Sequence, residues 1–298
     1  MDYLDLFTSA TANFSGFQKE RNKAEYVVVG VPFDATSTYR SGARFAPLAI
    51  REASLNIETY SFRAETDLED LKIHDAGDLH ISGNLPETLK RLELVTEEIL
   101  NSGKTPVLIG GEHTITLGAT RGIHKDFAVL SFDAHLDLRN EYMDQPICHA
   151  SFMRRINETV KPVKIVEVGT RAVCKEEIEY AESAKIGYIT SQQIISEGTE
   201  NTTKEINRLL TGCDHIYLTV DMDALDPAFA PAVQNPEPDG LSTNVLLDLL
   251  HGICGKRIVA FDVVEVTPHY DAGATAIQAA RVIFEILSHI HRDKGKTR

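Results

Sequence analysis

Residues 128–137 read AVLSFDAHLD, an apolar run followed directly by alternating polar side chains. The run, Ala128–Phe132, is short and bounded by Asp, which is typical of a buried strand in a parallel sheet. In an extended segment alternate side chains point the same way, so Asp133, His135 and Asp137 can face one centre. Ligands of open parallel sheets bind at the carboxyl ends of the strands. This stretch therefore predicts a parallel sheet with a functional site where the strand ends.

Similar short apolar runs recur along the chain and predict further strands. They are Tyr26–Val29, Val107–Ile109, Lys164–Val168, Ile216–Val220 and Ile258–Val264. Amphipathic helical patterns with apolar residues three and four apart fall between these runs. They are Pro86–Ile99, Asn201–Leu210, Thr243–Ile253 and Ala274–Ile290. Strands that alternate with helices predict an α/β fold of three α/β/α layers around a central, mainly parallel sheet.

The chain shows no repeat, low-complexity tract or Pro/Gly/Ser linker that would mark a domain boundary. We therefore expect one domain over residues 1–298. Residues 1–22 are less regular and could form an N-terminal arm. Their aromatic residues Phe7, Phe14 and Phe17 could pack either on a neighbouring subunit or on the same chain.

Composition limits the classes of function. The formal net charge of −14 disfavours nucleic acid, because phosphate binding needs a basic surface. It is compatible with a small cationic substrate, or with solubility alone. The four cysteines are far apart and form no Cys-x-x-Cys pair, which argues against a disulfide framework and a zinc knuckle. The N-terminal MDYLDLFTSA lacks a signal-peptide pattern, and no apolar stretch is long enough to span a bilayer, so we expect a cytoplasmic protein without membrane partners.

Two further strand ends carry side chains that can bind metal. Gly110–Thr114 (GGEHT) follows one predicted strand, and Asp221 and Asp223 follow another. Each motif alone is weak, since Asp-x-Asp is common in turns and caps, and Gly-Gly-x-His can be a tight turn with a stray histidine. Three such sets after separate strands are hard to ascribe to accident. The predicted ligands are His113, Asp133, His135, Asp137, Asp221 and Asp223.

The ligand types indicate which metal these residues would hold. Four carboxylates brought together without cations would repel one another strongly. A single Mg²⁺ would use fewer ligands, and structural zinc would prefer cysteine. Six ligands, mostly carboxylates with two imidazoles, suit two octahedral divalent ions, with Mn²⁺ the leading candidate. The sequence therefore predicts a dinuclear metal hydrolase with two Mn²⁺ per subunit.

These motifs resemble the metal signatures of the ureohydrolase superfamily, which includes arginase and agmatinase. The likeness rests on Gly110–Thr114, Asp133–Asp137 and Asp221–Pro227 (DMDALDP). It extends to Val29–Ser54 and to Phe261–Asp271 (FDVVEVTPHYD), and so spans roughly residues 26 to 285. The resemblance implies an arginase-like fold and a homo-oligomer, a trimer or hexamer.

The resemblance also implies a role for each site residue. One manganese would be held by His113, Asp133, Asp137 and Asp221, and the second by Asp133, His135, Asp221 and Asp223. A hydroxide between the two metals would be the nucleophile, with Asp137 counted among the catalytic residues as well as the ligands.

Two more residues correspond to catalytic and substrate-binding positions of the superfamily. Glu265 would pair with the substrate guanidinium, and a carboxylate is apt for that because guanidinium accepts bidentate pairing. His149 would pass a proton to the departing amine, since its pKa lies near working pH. The alternative for His149 is a helix-start histidine bound to a backbone group.

The identity of the guanidine depends on the residues beyond the metals. The arginase pattern that grips an α-amino acid is absent, and Arg139 stands where arginases have asparagine. The form DAHLDLRNEY with the later His149-Ala150 is most similar to archaeal-type agmatinases, so we expect hydrolysis of agmatine to putrescine and urea in polyamine biosynthesis. Glu141 and Asp144 could meet an amine tail, or could simply be solvated.

Several alternatives remain open at this point. Residues 232–240 (AVQNPEPDG) replace the glycine-rich loop common in the superfamily, which leaves aminopropylagmatine or a guanidino acid as substrate. Arg139 would help to bind such an acid if it faced the pocket. Arginine is a weaker alternative, and a non-catalytic relative or a single-zinc amide hydrolase of the deacetylase type is more distant.

Overall fold

A nine-stranded sheet forms the centre of the molecule in the computed structural model, which describes residues 2–295. The predicted domain, residues 1–298, includes Met1 and residues 296–298, which lie outside the described residues. The strands are β1 Thr8–Ser9, β2 Tyr26–Gly30, β3 Tyr60–Ser61, β4 Thr66–Asp67, β5 Ile73–Leu79, β6 Thr105–Ile109, β7 Ala128–Phe132, β8 Lys164–Thr170, β9 Gly187–Thr190, β10 Ile216–Asp221 and β11 Ile258–Val264.

The order of strands in the large sheet is β1-β5-β2-β6-β11-β10-β7-β8-β9. All neighbours in it are parallel except β1 and β5. β3 and β4 form a separate antiparallel pair. The predicted fold class is confirmed, including the parallel character of the sheet. The strands β6, β11, β10 and β7 lie consecutively at its centre, and their carboxyl ends share one edge.

The helices cover both faces of this sheet. They are α1 Tyr3–Phe7, α2 Ala46–Ser54, α3 Leu85–Asn101, α4 Ile115–Arg121, α5 Phe152–Arg155, α6 Lys175–Ala184, α7 Ser191–Leu209, α8 Thr243–Ile253 and α9 Ala274–Gly295. Among residues 2–295, none of these helices combines the length and hydrophobicity of a transmembrane segment.

Alternation along the strands divides the core in two. On β2, Tyr26 and Val28 join the apolar cluster that contains buried residues of α2, α7, α8 and α9. The next side chains, Val27 and Val29, join the cluster that contains residues of α1, α3, α4, α5 and α6. Because a buried parallel strand needs apolar side chains on both faces, it reads as a continuous Val/Ile run. Each cluster joins one face of the sheet to the helices that cover it, so the sheet and two helical layers make up the three layers.

The structure also contains strands and contacts that the apolar runs did not predict. All six predicted strands are present, whereas β1, β3, β4, β5 and β9 were not predicted. Residues 2–22, expected to be irregular, pack on their own chain: β1 pairs with β5, and the buried Phe14 ring meets Phe284 edge-on at 5.4 Å. The helix predicted from Asn201 begins earlier, at Ser191, and is interrupted at Gly198, whose φ of 78° is not helical.

A buried arginine joins α2 to β5. Arg51 is fully buried, and its guanidinium binds Asp75 in a bidentate pair at 2.8 and 2.9 Å and Asp78 at 2.6 Å. Such forked pairing is the geometry that guanidinium and carboxylate groups favour. The dipeptide Gly77-Asp78 is typical of a turn, but Asp78 lies in β5 as a partner of Arg51.

Candidate metal centre

Four adjacent strand ends supply the side chains of the site. His113 follows β6, Glu265 follows β11, and Asp221 ends β10. Asp133 and His135 follow β7. The motif-bearing strands β6 and β10 are separated by β11, so Glu265 lies between the two metal-binding motifs. Parallel pairing therefore brings together residues as far apart in the chain as His113 and Glu265, which are 152 positions apart.

One group of three buried side chains has the spacing that a metal ion requires. The ligand atoms of His113, Asp133 and Asp221 all lie within 4.8 Å of one another. His113 Nδ1 is 3.0 Å from Asp133 Oδ2 and 3.1 Å from Asp221 Oδ2. Asp137 Oδ2 lies slightly further away, at 3.7 Å from the same nitrogen. The other three ligands expected for the first metal thus lie around His113 Nδ1.

A second group adjoins the first and shares Asp133 with it. The ligand atoms of Asp133, His135 and Asp223 also lie within 4.8 Å of one another. His135 Nδ1 is 3.1 Å from Asp223 Oδ2 and 3.4 Å from Asp133 Oδ1. Asp133 is placed to bridge two ions. Asp221, the other expected bridge, belongs by this criterion to the first group only.

The electrostatics of these groups reflect the crowding of their carboxylates. Burial, followed by the Asp133 carboxylate, raises the pKa of Asp137 well above its ordinary value. Burial and the neighbouring Asp223 and Asp133 do the same to the pKa of Asp221. Burial lowers the pKa of His113, but the nearby carboxylates outweigh it and raise that pKa to about 9. Protons are thus retained where divalent cations would otherwise balance the carboxylates.

A chain of hydroxyl and carboxylate groups orients His113. Its Nε2 lies 2.7 Å from Thr219 Oγ1, and Thr219 in turn donates to Asp262. Asp262 also accepts hydroxyl hydrogen bonds from Thr116 at 2.7 Å and Tyr217 at 2.5 Å. Since Thr219 gives its proton to Asp262, it must accept one from Nε2. Nδ1 is then left as the nitrogen that faces the ligand carboxylates.

Thr219 and Asp262 were not among the predicted site residues. A signal for both exists in the sequence, since each is a polar residue inside an apolar strand. Their neighbours in the register, Ser131 and Glu167, continue the same buried polar row across β7 and β8. A polar residue buried in a strand needs a partner, and Thr219 finds one in Asp262 on the adjacent strand.

One carboxylate oxygen of Glu265 is hydrogen-bonded, whereas the other has no partner among the described residues. His113 N donates to its Oε1 at 2.6 Å, and its own N–H donates to Gly111 O at 2.9 Å. Its Oε2 is buried without a partner among the described residues. Burial, followed by the charge of Glu112, raises the pKa of Glu265 to about 8. A buried carboxylate with one open oxygen is suited to a cationic ligand.

His149 is positioned by a buried loop. Its N–H donates to Thr36 Oγ1 at 3.1 Å, and its Nε2 lies 3.2 Å from Thr38 Oγ1. Glu112 fixes that loop by accepting the Thr36 N–H at 2.8 Å and the Thr36 hydroxyl. Burial lowers the pKa of His149 to about 4, so the ring is neutral at neutral pH, and its Nδ1 has no partner among the described residues.

Two of the functional positions have left-handed backbone conformations. Asp137 has φ of 51° and Glu265 has φ of 72°. Non-glycine residues rarely adopt such values, and those that do cluster at functional sites where the surroundings enforce them. The backbone is also tightly packed at Gly111, where a Cβ would lie only 1.8 Å from Phe33 O.

A cavity of about 460 Å³ opens onto four of the six predicted ligands, Glu265 and His149. Its outer wall is formed by the loops that were expected to determine the substrate, and it includes Arg139, Tyr142, Asn235 and Glu237. Glu141 and Asp144, which could have met an amine tail, are exposed and do not line this cavity. Arg139 does face it.

The sequence as a whole matches the arginase family over residues 24–288. The chain belongs to the arginase family. This agrees with the resemblance to ureohydrolases that the motifs indicated.

Individual relatives of known or assigned activity cover almost the entire chain. An N(1)-aminopropylagmatine ureohydrolase of Thermococcus kodakarensis is 34% identical over 94% of this chain and 95% of its own length. An agmatinase of Bacillus subtilis is 34% identical over 92% of this chain and 94% of its own. The crystal structure of an agmatine ureohydrolase of Thermoplasma volcanium superposes with a TM-score of 0.90 at 33% identity, covering 97% of this chain and 98% of that one.

Proposed function

We propose that this protein is an agmatinase-type ureohydrolase that converts agmatine into putrescine and urea with two Mn²⁺ per subunit. The observation that carries the proposal is the open, buried Oε2 of Glu265 beside six metal-capable side chains. A guanidinium placed against that oxygen would lie next to the predicted metals. The similarity to an agmatinase and to an agmatine ureohydrolase supports this choice of substrate.

The arrangement fits two divalent cations. The first would be held by His113, Asp133, Asp137 and Asp221. The second would be held by Asp133, His135 and Asp223, with Asp221 as the fourth ligand that the family resemblance implies. The buried His113 Nδ1, facing two carboxylates at about 3 Å, is the orphaned atom that such an ion would satisfy. When bound, the pair of cations would lower the pKa of water and supply a nucleophile at neutral pH.

The chain's own residues would bind the substrate and move protons. Glu265 Oε2 would accept N–H groups of the guanidinium and so hold its carbon toward the ligands. The pKa of His149, about 4, lies below the value near working pH that the sequence led us to expect. The ring lines the same cavity and its Nδ1 has no partner among the described residues, so His149 would carry a proton only transiently, on its way to the departing amine.

A second substrate has specific support. The relative from Thermococcus kodakarensis is an aminopropylagmatine ureohydrolase, and its identity to this chain equals that of the Bacillus agmatinase. Aminopropylagmatine carries the same guanidinium on a longer amine. The same metals, Glu265 and His149 would serve it, and only the outer wall of the cavity would distinguish the two.

Urea release from Mn²⁺-loaded protein tests the proposal. We expect urea from agmatine or aminopropylagmatine at a higher kcat/KM than from arginine or 4-guanidinobutyrate. Protein treated with chelator should be inactive and should recover when Mn²⁺ is returned. Absence of urea from all four compounds would contradict the ureohydrolase assignment, and a preference for arginine would contradict the agmatinase assignment.

We also infer the setting of the enzyme from the family resemblance. It would be a cytoplasmic homo-oligomer, trimeric or hexameric, that acts in polyamine biosynthesis. Light scattering on the purified protein measures its mass in solution, and the mass of a monomer would contradict the expected oligomer.

A further inference from the structure

We infer that the carboxylate of Glu237 binds the terminal ammonium of the substrate and thereby selects guanidines with an amine tail. This inference rests on the proposed function and extends it to the outer wall of the cavity. Its basis is a half-buried carboxylate that lines the cavity on a clamped loop and has no partner among residues 2–295.

The charged groups of the outer wall, Glu237 apart, already have partners. Arg171 donates to backbone carbonyls on three segments, including Gly169 O at 3.1 Å and Asp223 O at 2.6 Å. Glu177 accepts the N–H groups of Leu138 and Cys174 at 3.1 and 2.9 Å. These two side chains hold the wall together and have little capacity left for a ligand.

Arg139, the other cation of the wall, is partly neutralised. Its Nε lies 3.9 Å from the buried Glu177 carboxylate, and its guanidinium stacks 5.0 Å from the centre of the Tyr142 ring. A substrate carboxylate would have to compete with Glu177 for this charge. The wall is therefore a poorer site for a guanidino acid than the presence of an arginine suggests.

Glu237, in contrast, has no side-chain hydrogen bond or ion pair with any residue in the described range 2–295. Its backbone is nevertheless fixed: Arg171 donates to Glu237 O and to Pro238 O, both at 2.9 Å. Pro236 and Pro238 on either side restrict the backbone further. Because the backbone of this loop is already fixed, binding would cost only the rotamer freedom of the Glu237 side chain, which favours a specific ionic contact.

The loop is also anchored close to the metal-binding residues. The same Arg171 nitrogen that binds Glu237 O binds the carbonyl of the predicted ligand Asp223. At its start the loop joins the segment after Glu265, because Thr267 N donates to Ala232 O at 2.7 Å. Glu265 and Glu237 thus form two anionic anchors of one cavity, the inner one for the guanidinium and the outer one for the amine.

The test compares agmatine with butylguanidine, which has the same guanidinium and chain but no amine. In Mn²⁺-loaded wild-type protein we expect kcat/KM for agmatine to exceed that for butylguanidine by about ten- to hundredfold, the usual range for one charged hydrogen bond. Glu237→Gln should remove most of this preference by raising KM for agmatine, and should leave butylguanidine hydrolysis unchanged. Asp239→Asn is the matched control: it removes the same charge from the same loop outside the substrate cavity, and both substrates should react as in the wild type.

Other outcomes separate this inference from the proposed function. If Glu237→Gln keeps the wild-type preference, or if wild-type protein prefers 4-guanidinobutyrate, the role of Glu237 is overturned while guanidine hydrolysis stands. If wild-type protein releases no urea from any guanidine, the proposed function fails instead. Calorimetric titration of both proteins with agmatine then decides on Glu237 alone, and equal affinity, or no binding to either, would refute it.

Discussion

At the scale of single residues, the orientation of His113 shows how a strand interior supports the site. The ring is held between Thr219 Oγ1 at 2.7 Å from its Nε2 and the carboxylates of Asp133 and Asp221 near its Nδ1. Asp262 takes the Thr219 proton and so fixes which ring nitrogen carries hydrogen. Removing the hydroxyl would leave Nε2 buried without an acceptor and free the ring to adopt the wrong tautomer.

Thr219→Val therefore should weaken Mn²⁺ binding by about ten- to hundredfold, the usual effect of losing a partner that orients a metal-bound histidine. Valine has almost the shape of threonine, so the packing of β10 is kept. Manganese affinity is measured by competitive titration of the metal-free protein, and the far-UV circular dichroism reports folding. Thr219→Ser, which retains the hydroxyl, should bind Mn²⁺ as the wild type does; equal affinity in the valine variant would refute the orienting role.

At the scale of elements, the sequence predicts best those strands that are buried on both faces. β7, β10 and β11 were predicted because each is an apolar run with a single internal polar residue. β5 escaped notice because it carries Asp75 and Asp78, which pair with Arg51 on α2. β9 is a short strand at the sheet edge. The identity of each partner, like the left-handed φ of Glu265, depends on tertiary contacts that no local pattern contains.

The Arg51–Asp75 pair gives the clearest stability prediction at this scale. Asp75→Ala leaves a fully buried guanidinium without its bidentate partner, and also removes the acceptor of the Phe14 N–H at 2.7 Å. We expect a loss of about 3–5 kcal/mol in the free energy of unfolding, measured by urea denaturation of the full chain. Asp78→Ala, at a carboxylate with 24% side-chain exposure, should cost clearly less. A larger loss from Asp78 than from Asp75 would contradict this account of the pair.

At the scale of the whole molecule, the sheet concentrates negative charge at one edge. The chain already carries a formal net charge of −14, and four of its carboxylates converge at the ends of β7 and β10. Folding therefore has to gather like charges that an unfolded chain keeps apart. Metal ions, or failing them protons on the histidines and carboxylates, compensate this cost. Stability, metal content and pH are consequently coupled.

In the metal-free protein this coupling should make the fold less stable as the pH rises. The folded pKa of His113 is raised to about 9, so its proton stabilises the fold fully below about pH 6.5 and the contribution is lost as the pH rises toward 9. The raised pKa values of Asp137 and Asp221 act in the same direction, since the folded state binds the additional protons. Bound Mn²⁺ would replace those protons and so remove the dependence of stability on pH.

The melting temperatures of Mn²⁺-loaded and chelator-treated protein should therefore diverge from about pH 6.5 to about pH 8.5, by about 3 °C or more. Returning Mn²⁺ to the chelator-treated protein at the higher pH should restore its melting temperature. If the difference in melting temperature between the two forms stays constant or narrows as the pH rises, the six side chains do not act as one charge-compensated centre.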